Sequence, residues 1–425
     1  MSDQSGMLPT LGSEPSEVLA QLRRNRHDDA PWREGRIFSL IFHPDDPELE
    51  RLLEATSQEY LAENALNPRR FPSLARLESE TTDMVADLLH GSAGAGGLTS
   101  GGTESIFVAV SVARTVARER GIANPEIVTA VTAHPAFAKA CHLLGVRQTR
   151  VAVGPDKRLD IAELRAAIGP DTAMVVASAP CYPYGVVDPV EAVAAAGTET
   201  GVLCHVDACL GGLILPFWEQ LGEPVPAWDF RVAGVTSISA DIHKYGYSFK
   251  GASVILFRDQ ELAAKRVWFD DGVWGGGLYG TATPAGTRPA PPIAGAWASL
   301  RYHGRDGFLR KAEATRTATR TLIAGIESIA GLRLTTRPDG PVLQFTSDDL
   351  DLSAVADVLE DRRWWLNRQP SGLHVMLSPY HVHVVDELVD EVRLAVEQVR
   401  AGRVSEGRSA AYAGAPTAGE PTTPR

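Results

Sequence analysis

Residues 202–212 read VLCHVDACLGG, and residues 237–247 read SISADIHKYGY. Each opens on a short apolar run and ends on ionisable groups. Asp207 closes the run Val202–Val206, and His243 and Lys244 follow the run Val235–Ser239. Short runs of this kind, bounded by polar punctuation, read as buried strands. Working outward, similar runs occur at Ile127–Val131 (IVTAV), Ala173–Ala177 (AMVVA) and Ser253–Phe257 (SVILF), with Ala-, Leu-, Glu- and Arg-rich stretches between several of them. Strands alternating with helices predict an α/β domain built on a mainly parallel sheet. Ligands of such sheets bind beyond the carboxyl ends of the strands.

The flanks differ. Amphipathic helices are predicted over Pro47–Glu63, where Leu49, Leu52, Leu53 and Leu61 recur at helical spacing, and over Leu74–Leu89. After residue 300 the pattern becomes a long helix (305–330), strands at Leu332–Thr335, Val342–Phe345 and Leu373–Leu377, and helices at Leu352–Leu359 and Val384–Val399. That is a smaller α+β unit. The 425 residues therefore divide into a loose start (1–18), a helical segment (19–85), a large α/β domain (86–300), a small domain (301–400) and a tail (401–425) without core-forming pattern. A net charge of −12 argues against a nucleic-acid partner. No run reaches the roughly 18 apolar residues of a membrane helix, and the first residues have neither the basic flank nor the apolar core of a signal peptide. Cys141, Cys181, Cys204 and Cys209 show neither CxxC pairing nor metal-ligand spacing. Together these predict a cytoplasmic protein with reduced thiols, no membrane partner and no metal.

Four features carry chemistry. LTSGGTES (98–105) runs into an Ala/Val-rich helix, so Gly102 and Thr103 stand where backbone N–H groups favour a phosphate. The alternative for that loop is a plain helix cap. Asp207 ends a strand and suits a carboxylate that keeps a ring nitrogen protonated, or else caps the next turn. Lys244 follows another strand beside His243, and only six of the 41 basic residues are lysines. A lysine there suits Schiff-base chemistry, against the ordinary reading of a solvated charge. His134 follows the strand at Ile127–Val131 and suits stacking on a flat ring or proton transfer, against a core histidine. Phosphate cradle, stacking group, anion for a ring nitrogen and Schiff-base lysine are together what pyridoxal 5′-phosphate requires. The GxGxxG fingerprint of a nicotinamide dehydrogenase is absent.

These segments, with TAHPAFAKA (132–140), SAPCYPYGVVDP (178–189), WGGGLYGTATPAGTRP (274–289) and RRWWLNRQPSGLHVMLSPYH (362–381), resemble the fold-type-I pyridoxal-phosphate enzymes of the group II decarboxylase superfamily. The likeness runs from about residue 35 to about 398 and is greatest to the sphingosine-1-phosphate lyases. It implies an aspartate-aminotransferase-like large domain with a mainly parallel seven-stranded sheet, a small α+β C-terminal domain and a homodimer with shared active sites. It implies that Lys244 forms the Schiff base and that His243, Gly102 and Thr103 hold the cofactor phosphate. Asp207 would pair with the pyridine nitrogen, Ala208 would pack under the ring, and His134 would stack on its other face. Thr281 would reach the phosphate in the second subunit. Tyr182 and Lys250 would act around the substrate, and Arg288 matches a family arginine whose alternative is a structural ion pair. The lyase pattern departs at two substrate positions: Phe42 replaces a tyrosine and Asn67 a histidine that help hold the substrate's phosphate, while His43 is kept and Arg69 and Arg70 lie nearby. The resemblance thus implies carbon–carbon cleavage at Cα of a small-molecule amino substrate. Retro-aldol cleavage to an aldehyde leads. The alternative is an amino-acid decarboxylase of a specialised bacterial pathway, and a cofactor-binding subunit without activity is a third reading.

Overall fold

The computed structural model describes residues 8–402 except 28, 267 and 268. Seven strands form the main sheet: β1 (Gly96–Thr99), β2 (Glu126–Ala130), β3 (Arg147–Val151), β4 (Thr172–Ser178), β5 (Leu203–Asp207), β6 (Ser237–Ala240) and β7 (Ser253–Phe257). Their spatial order is β1-β7-β6-β5-β4-β2-β3. Neighbours from β3 across to β6 pair in parallel, and β7 is antiparallel to both β6 and β1. Hence β1 runs with the main set and β7 alone opposes it. This is the mainly parallel seven-stranded sheet of an α/β enzyme. Strand β4 is buried at every residue, as a strand covered on both faces must be.

Helices α1 (Pro15–Asn25), α2 (Pro47–Glu59) and α3 (Pro72–Leu88) precede the sheet. Helices α4 (Gly102–Glu119), α5 (Ala136–Leu144), α6 (Ile161–Ala167), α7 (Val190–Thr200), α8 (Leu215–Gln220) and α9 (Gln260–Ala264) connect its strands or follow them. A hairpin, β8 (Phe269–Asp271) and β9 (Tyr279–Thr281), leads to the long helix α10 (Ala290–Glu327). The C-terminal unit is an antiparallel sheet of β10 (Arg333–Leu334), β11 (Val342–Thr346), β12 (Asn367–Gln369) and β13 (Gly372–Met376), with α11 (Leu352–Asp361) and α12 (Val385–Arg400). Its own core gathers Phe345, Val355, Leu359, Trp364, Val375 and Leu388.

Several boundaries differ from the sequence-based expectation. Helix α2 stops at Glu59, so Leu61 is exposed rather than part of the apolar stripe. Residues 15–18 are helical, not loose: Pro15 occupies the first turn, Glu17 complements that end of the helix dipole, and Arg23 and Arg24 complement the other. Residues 8–14 form no helix or strand, and 1–7 and 403–425 of the expected loose ends lie outside the described residues. Residue 300 falls within a helical stretch. The break lies at Gly304, whose φ of 55° and ψ of −175° kink α10. Strands β1, β3 and β12 have no apolar run to announce them. β1 is half glycine, and β3 reads RQTRV at the sheet edge.

One further segment positions the site. Residues 36–43 lie along the small domain: the Phe38 N–H donates to the Trp365 carbonyl at 2.9 Å, and Met376 N–H donates to the Phe38 carbonyl at 2.8 Å. This carries Leu40 and Phe42 to the edge of the main sheet. No helix among the described residues is long and apolar enough to cross a membrane. No cluster of three or more His, Cys, Asp or Glu among them is placed to hold a metal ion.

Candidate active site

The carboxyl ends of β1, β2, β4, β5 and β6 share one edge of the sheet because all five run the same way. The residues after them line a cleft of about 330 Å3: Gly101 to Glu104 after β1, His134 after β2, Tyr182 after β4, Asp207 at the end of β5, and Asp241, His243 and Lys244 after β6. Phe42, Lys250 and Met376 complete the wall toward the opening.

The floor is tightly constrained. A methyl added to Gly102 would lie 2.7 Å from Cys209 Sγ and 2.8 Å from an Asp241 carboxylate oxygen, so only glycine fits there. Gly101 has φ of 152°, and the His243 ring packs against it. The N–H groups of Gly102 and Thr103 open α4 and have no acceptor within the helix. Glu104 turns back and accepts from the Ser100 N–H at 2.7 Å, which stiffens this loop.

Lys244 Nζ lies 2.9 Å from Asp241 Oδ2, and both side chains are buried from solvent to a large degree. Burial opposes the lysine charge, but Asp241 outweighs it and holds the ammonium above the usual lysine range. Burial likewise opposes the Asp241 charge, and Lys244 with His243 overrides it, so that carboxyl sits below its usual range. Asp241 Oδ1 is buried and has no hydrogen-bond partner among the described residues. Asp207 is buried and accepts from the Cys209 N–H at 3.1 Å and from Ser239 Oγ at 3.3 Å. His134 Nδ1 accepts from the Ala136 N–H at 3.1 Å, and burial lowers its pKa against the opposing pull of Asp207. Ala208 is fully buried and donates its N–H to the Ser239 carbonyl at 2.9 Å; it supports Asp207 from beneath rather than lining the cleft.

The upper wall is more apolar. Asn367 Nδ2 donates to Tyr182 Oη at 2.7 Å, and His374 Nε2 donates to the Tyr182 carbonyl at 2.8 Å. Phe42 meets Tyr245 edge to face at 4.8 Å. Lys250 Nζ donates to the His243 carbonyl at 3.1 Å and stands 5.1 Å over the Phe42 ring. Much of Lys250 is open to solvent, but its ammonium lies against these walls. Desolvation there, followed by the charge of Lys244, brings its pKa down to about 8.

Three expected site residues lie elsewhere in the chain. Thr281 and Arg288 line a second cleft of about 350 Å3, together with Leu66, Pro68, Glu78 and Gly97. Arg288 is held by Glu78 and by the Ala65 carbonyl, which is the structural ion pair that was its alternative reading. Asn67 spends its side-chain oxygen on its own turn, accepting from the N–H groups of Arg69 at 3.0 Å and Arg70 at 3.3 Å. None of the three lines the Lys244 cleft of its own chain. His43 is packed against Tyr380 at 4.3 Å, away from that cleft.

Some residues in and around the cleft were not foreseen. Asp241 had a signal: a carboxylate three residues before the candidate lysine, just past a strand. Ser239, Met376 and Asn367 had none of their own, because tertiary packing brings them to the site.

The glycine cradle at the start of α4, the unpartnered Asp241 oxygen and the Lys244 amine facing Asp207 fit pyridoxal 5′-phosphate. The fold and the cleft therefore define a fold-type-I pyridoxal-phosphate enzyme. Residues 37–345 match the pyridoxal-dependent decarboxylase conserved domain. Sphingosine-1-phosphate lyase of Dictyostelium discoideum is 36% identical over 398 residues, covering 92% of this chain and 74% of that protein. The solved structure of sphingosine-1-phosphate lyase from Burkholderia pseudomallei superposes with a TM-score of 0.89 at 37% identity, covering 93% of this chain and 94% of the other. Glutamate decarboxylase of Lactobacillus brevis shares the fold, with a TM-score of 0.80 at 22% identity, 92% of this chain and 94% of the other being covered. The chain belongs to the pyridoxal-dependent decarboxylase family and is a pyridoxal-phosphate lyase similar to the sphingosine-1-phosphate lyases.

Proposed function

We propose that the protein cleaves a phosphorylated long-chain β-hydroxy amine of the sphingosine 1-phosphate class into an aldehyde and a smaller phosphorylated amine. The observation that carries this reading is one cleft in which the Lys244–Asp241 pair faces Asp207 and an amine of unusually low pKa, Lys250, guards the opening. Its relatives named for that substrate match more than nine-tenths of the chain, which supports the same choice. Bound pyridoxal phosphate supplies an electron sink for the pair released when a bond to Cα breaks. The protein does the rest. Gly102, Thr103 and His243 would hold its phosphate, and His134 and Asp207 would fix the ring and the proton on its nitrogen. Asp241 Oδ2, 2.9 Å from Lys244 Nζ, holds that amine in place on the floor of the cleft.

In the cleavage itself, the bond between Cα and the hydroxyl-bearing carbon breaks and its electron pair moves to Cα. The β-oxygen gives up its proton and becomes the carbonyl of the aldehyde, and Cα later takes up a proton. Lys250, with a pKa of about 8, is matched to accept the hydroxyl proton near neutral pH. Tyr182, oriented by Asn367, flanks the same space. Decarboxylation is the second reading, and its support is a more distant resemblance: an aspartate/glutamate decarboxylase of Pyrococcus horikoshii is 29% identical.

We further propose a homodimer with shared sites, acting in the cytoplasm. Thr281 lines a cleft of its own rather than the Lys244 cleft, which supports its delivery to a partner's cofactor phosphate. Val273, Trp274 and Leu278 stand exposed between β8 and β9, and Val18, Leu19 and Leu22 stand exposed on α1; such apolar patches suit an interface. All four cysteines are buried free thiols, which suits a reducing compartment.

The test is product analysis. The holoenzyme is incubated with sphingosine 1-phosphate and, separately, with a panel of amino acids. Aldehyde release from the first, without carbon dioxide from the second, is expected. Carbon dioxide as the sole product would sink the retro-aldol reading.

A further inference from the structure

A buried polar chain leads to Asp207. His205 precedes Asp207 by two residues on β5 and is fully buried. Its Nδ1 is 2.9 Å from Ser237 Oγ, and its Nε2 is 3.3 Å from Ser239 Oγ. Ser239 Oγ is 3.3 Å from Asp207 Oδ1, and Cys209 Sγ is 3.3 Å from Ser239 Oγ. Strands β5 and β6 pair in register, with Asp207 opposite Ser239 and His205 opposite Ser237. The spacing is therefore a property of the sheet and not of a flexible loop.

Proton bookkeeping gives this chain one direction. An ionised carboxylate only accepts, and a hydroxyl has one proton and two acceptor sites. Ser239 must give its proton to Asp207, so it accepts from the Cys209 thiol and from His205. His205 must then carry its proton on Nε2, and its bare Nδ1 accepts from the Ser237 hydroxyl. Burial holds the imidazole pKa down at about 4, so this neutral form persists at physiological pH. Every hydroxyl and ring nitrogen in the chain is used, and all point toward the carboxylate.

We infer that Ser239, polarised by His205, is a positioning residue that holds the Asp207 carboxylate toward the cofactor's ring nitrogen and thereby keeps the proton there. A donor on one carboxylate oxygen fixes the group's orientation. Without it the carboxylate is free to turn, and its hold on the ring's proton weakens. The ring then loses electron-withdrawing power although every group touching the cofactor is still present. This inference rests on the reading of Asp207 as the partner of the ring nitrogen.

The test uses holoenzyme loaded with pyridoxal phosphate labelled with 15N in the ring, whose resonance reports protonation directly. The wild-type enzyme is expected to show a protonated ring. Ser239→Ala is expected to move the resonance toward the unprotonated position and to weaken cofactor binding about tenfold, the scale of one hydrogen bond to a charged group. Ser239→Thr, which keeps the hydroxyl, is expected to restore both. An unprotonated ring in the wild type would sink the reading of Asp207. A protonated wild-type ring that Ser239→Ala leaves unchanged would sink the present inference alone. A second measurement reads the wild-type holoenzyme directly: its histidine 15N resonances, with His205 assigned by through-bond connection to its own backbone. A proton on Nε2 is expected, and a proton on Nδ1 would overturn the proposed direction of the chain.

Discussion

The two clefts of this chain are nearly equal in size and opposite in character. In the first, of about 330 Å3, the chemical groups come from five strand ends and converge: Lys244 pairs with Asp241, Asp207 lines the same space, and Gly102 packs against Cys209. In the second, of about 350 Å3, the groups are committed elsewhere: Arg288 to Glu78, Thr281 to the Thr283 carbonyl at 3.0 Å. Asn67, beside it, caps its own turn. A parallel sheet assembles a site from within one chain because its strand ends converge. A face built from a hairpin and an inter-helix loop spends its polar groups on its own neighbours. The first cleft thus brings its reactive groups together within one chain, and the second does not.

The largest expected effect breaks the first cleft outright. Lys244→Ala should lower turnover more than about a thousandfold, since covalent anchoring and proton transfer are both lost. Borohydride treatment should then no longer fix the cofactor to the peptide containing residue 244. Next comes the ring's electronic control: Asp207→Asn keeps the shape and removes the charge, and turnover should fall about 100- to 1,000-fold, the range of a lost preorganised electrostatic contact. Steady-state kinetics at saturating cofactor separates that loss from weaker binding. An unimpaired Asp207→Asn enzyme would mean that the ring's charge is governed elsewhere.

The second cleft is tested by mixing. Thr281→Ala should weaken cofactor binding about tenfold through one lost hydrogen bond to a phosphate. If the threonine serves the partner's cofactor, co-refolded Lys244→Ala and Thr281→Ala chains form hybrid dimers with one wholly native site, and activity at limiting cofactor should exceed that of either parent. If both residues serve the same subunit, the mixture should reach only the average of its parents.

The difference between the clefts also decided what could be read in advance. Asp207, His243 and Lys244 were legible because each follows an apolar run, and a run that ends on a charge at a strand's carboxyl edge leaves that charge few places to go. The glycines of 101–102 were legible from the helix that follows them. Strands β1 and β3 were not, since half-glycine and polar edge strands carry no periodic signal. Nor was the real position of Arg288. Its partner Glu78 lies 210 residues away, and a motif match says which residue is present but not which acid holds it. The turn at Asn67 was equally silent: an Asn before Pro-Arg-Arg-Phe-Pro reads as well as a ligand as it does as a turn former.

The pH profile sharpens the comparison within the first cleft, between its floor and its opening. Lys244 is held protonated by Asp241, whereas for Lys250 desolvation and the charge of Lys244 outweigh the same acid and bring it down to about 8. A base must be neutral to act. kcat/KM should therefore rise about tenfold per pH unit below about 8 and level off above it. If Lys250 instead serves as a cation for the substrate's phosphate, the sign reverses and activity falls as pH passes about 8. Lys250→Arg, which stays charged throughout this range, should remove the rising limb in the first case and preserve binding in the second.

The smallest effect concerns Asn67. Its oxygen accepts from two backbone N–H groups in the turn ahead of α3, so Asn67→Ala should cost about 1 kcal/mol of stability, the net scale of a lost hydrogen bond. Thermal unfolding with cofactor at fixed excess would read it. On the geometry of the single chain, KM for a phosphorylated substrate should stay unchanged, because this side chain faces its own turn. A KM that rises while stability holds would mean that assembly frees the Asn67 amide and turns it toward a partner's substrate. The second cleft would then be a substrate surface as well as a cofactor surface, and the contrast between the two clefts would extend to the phosphate anchor itself.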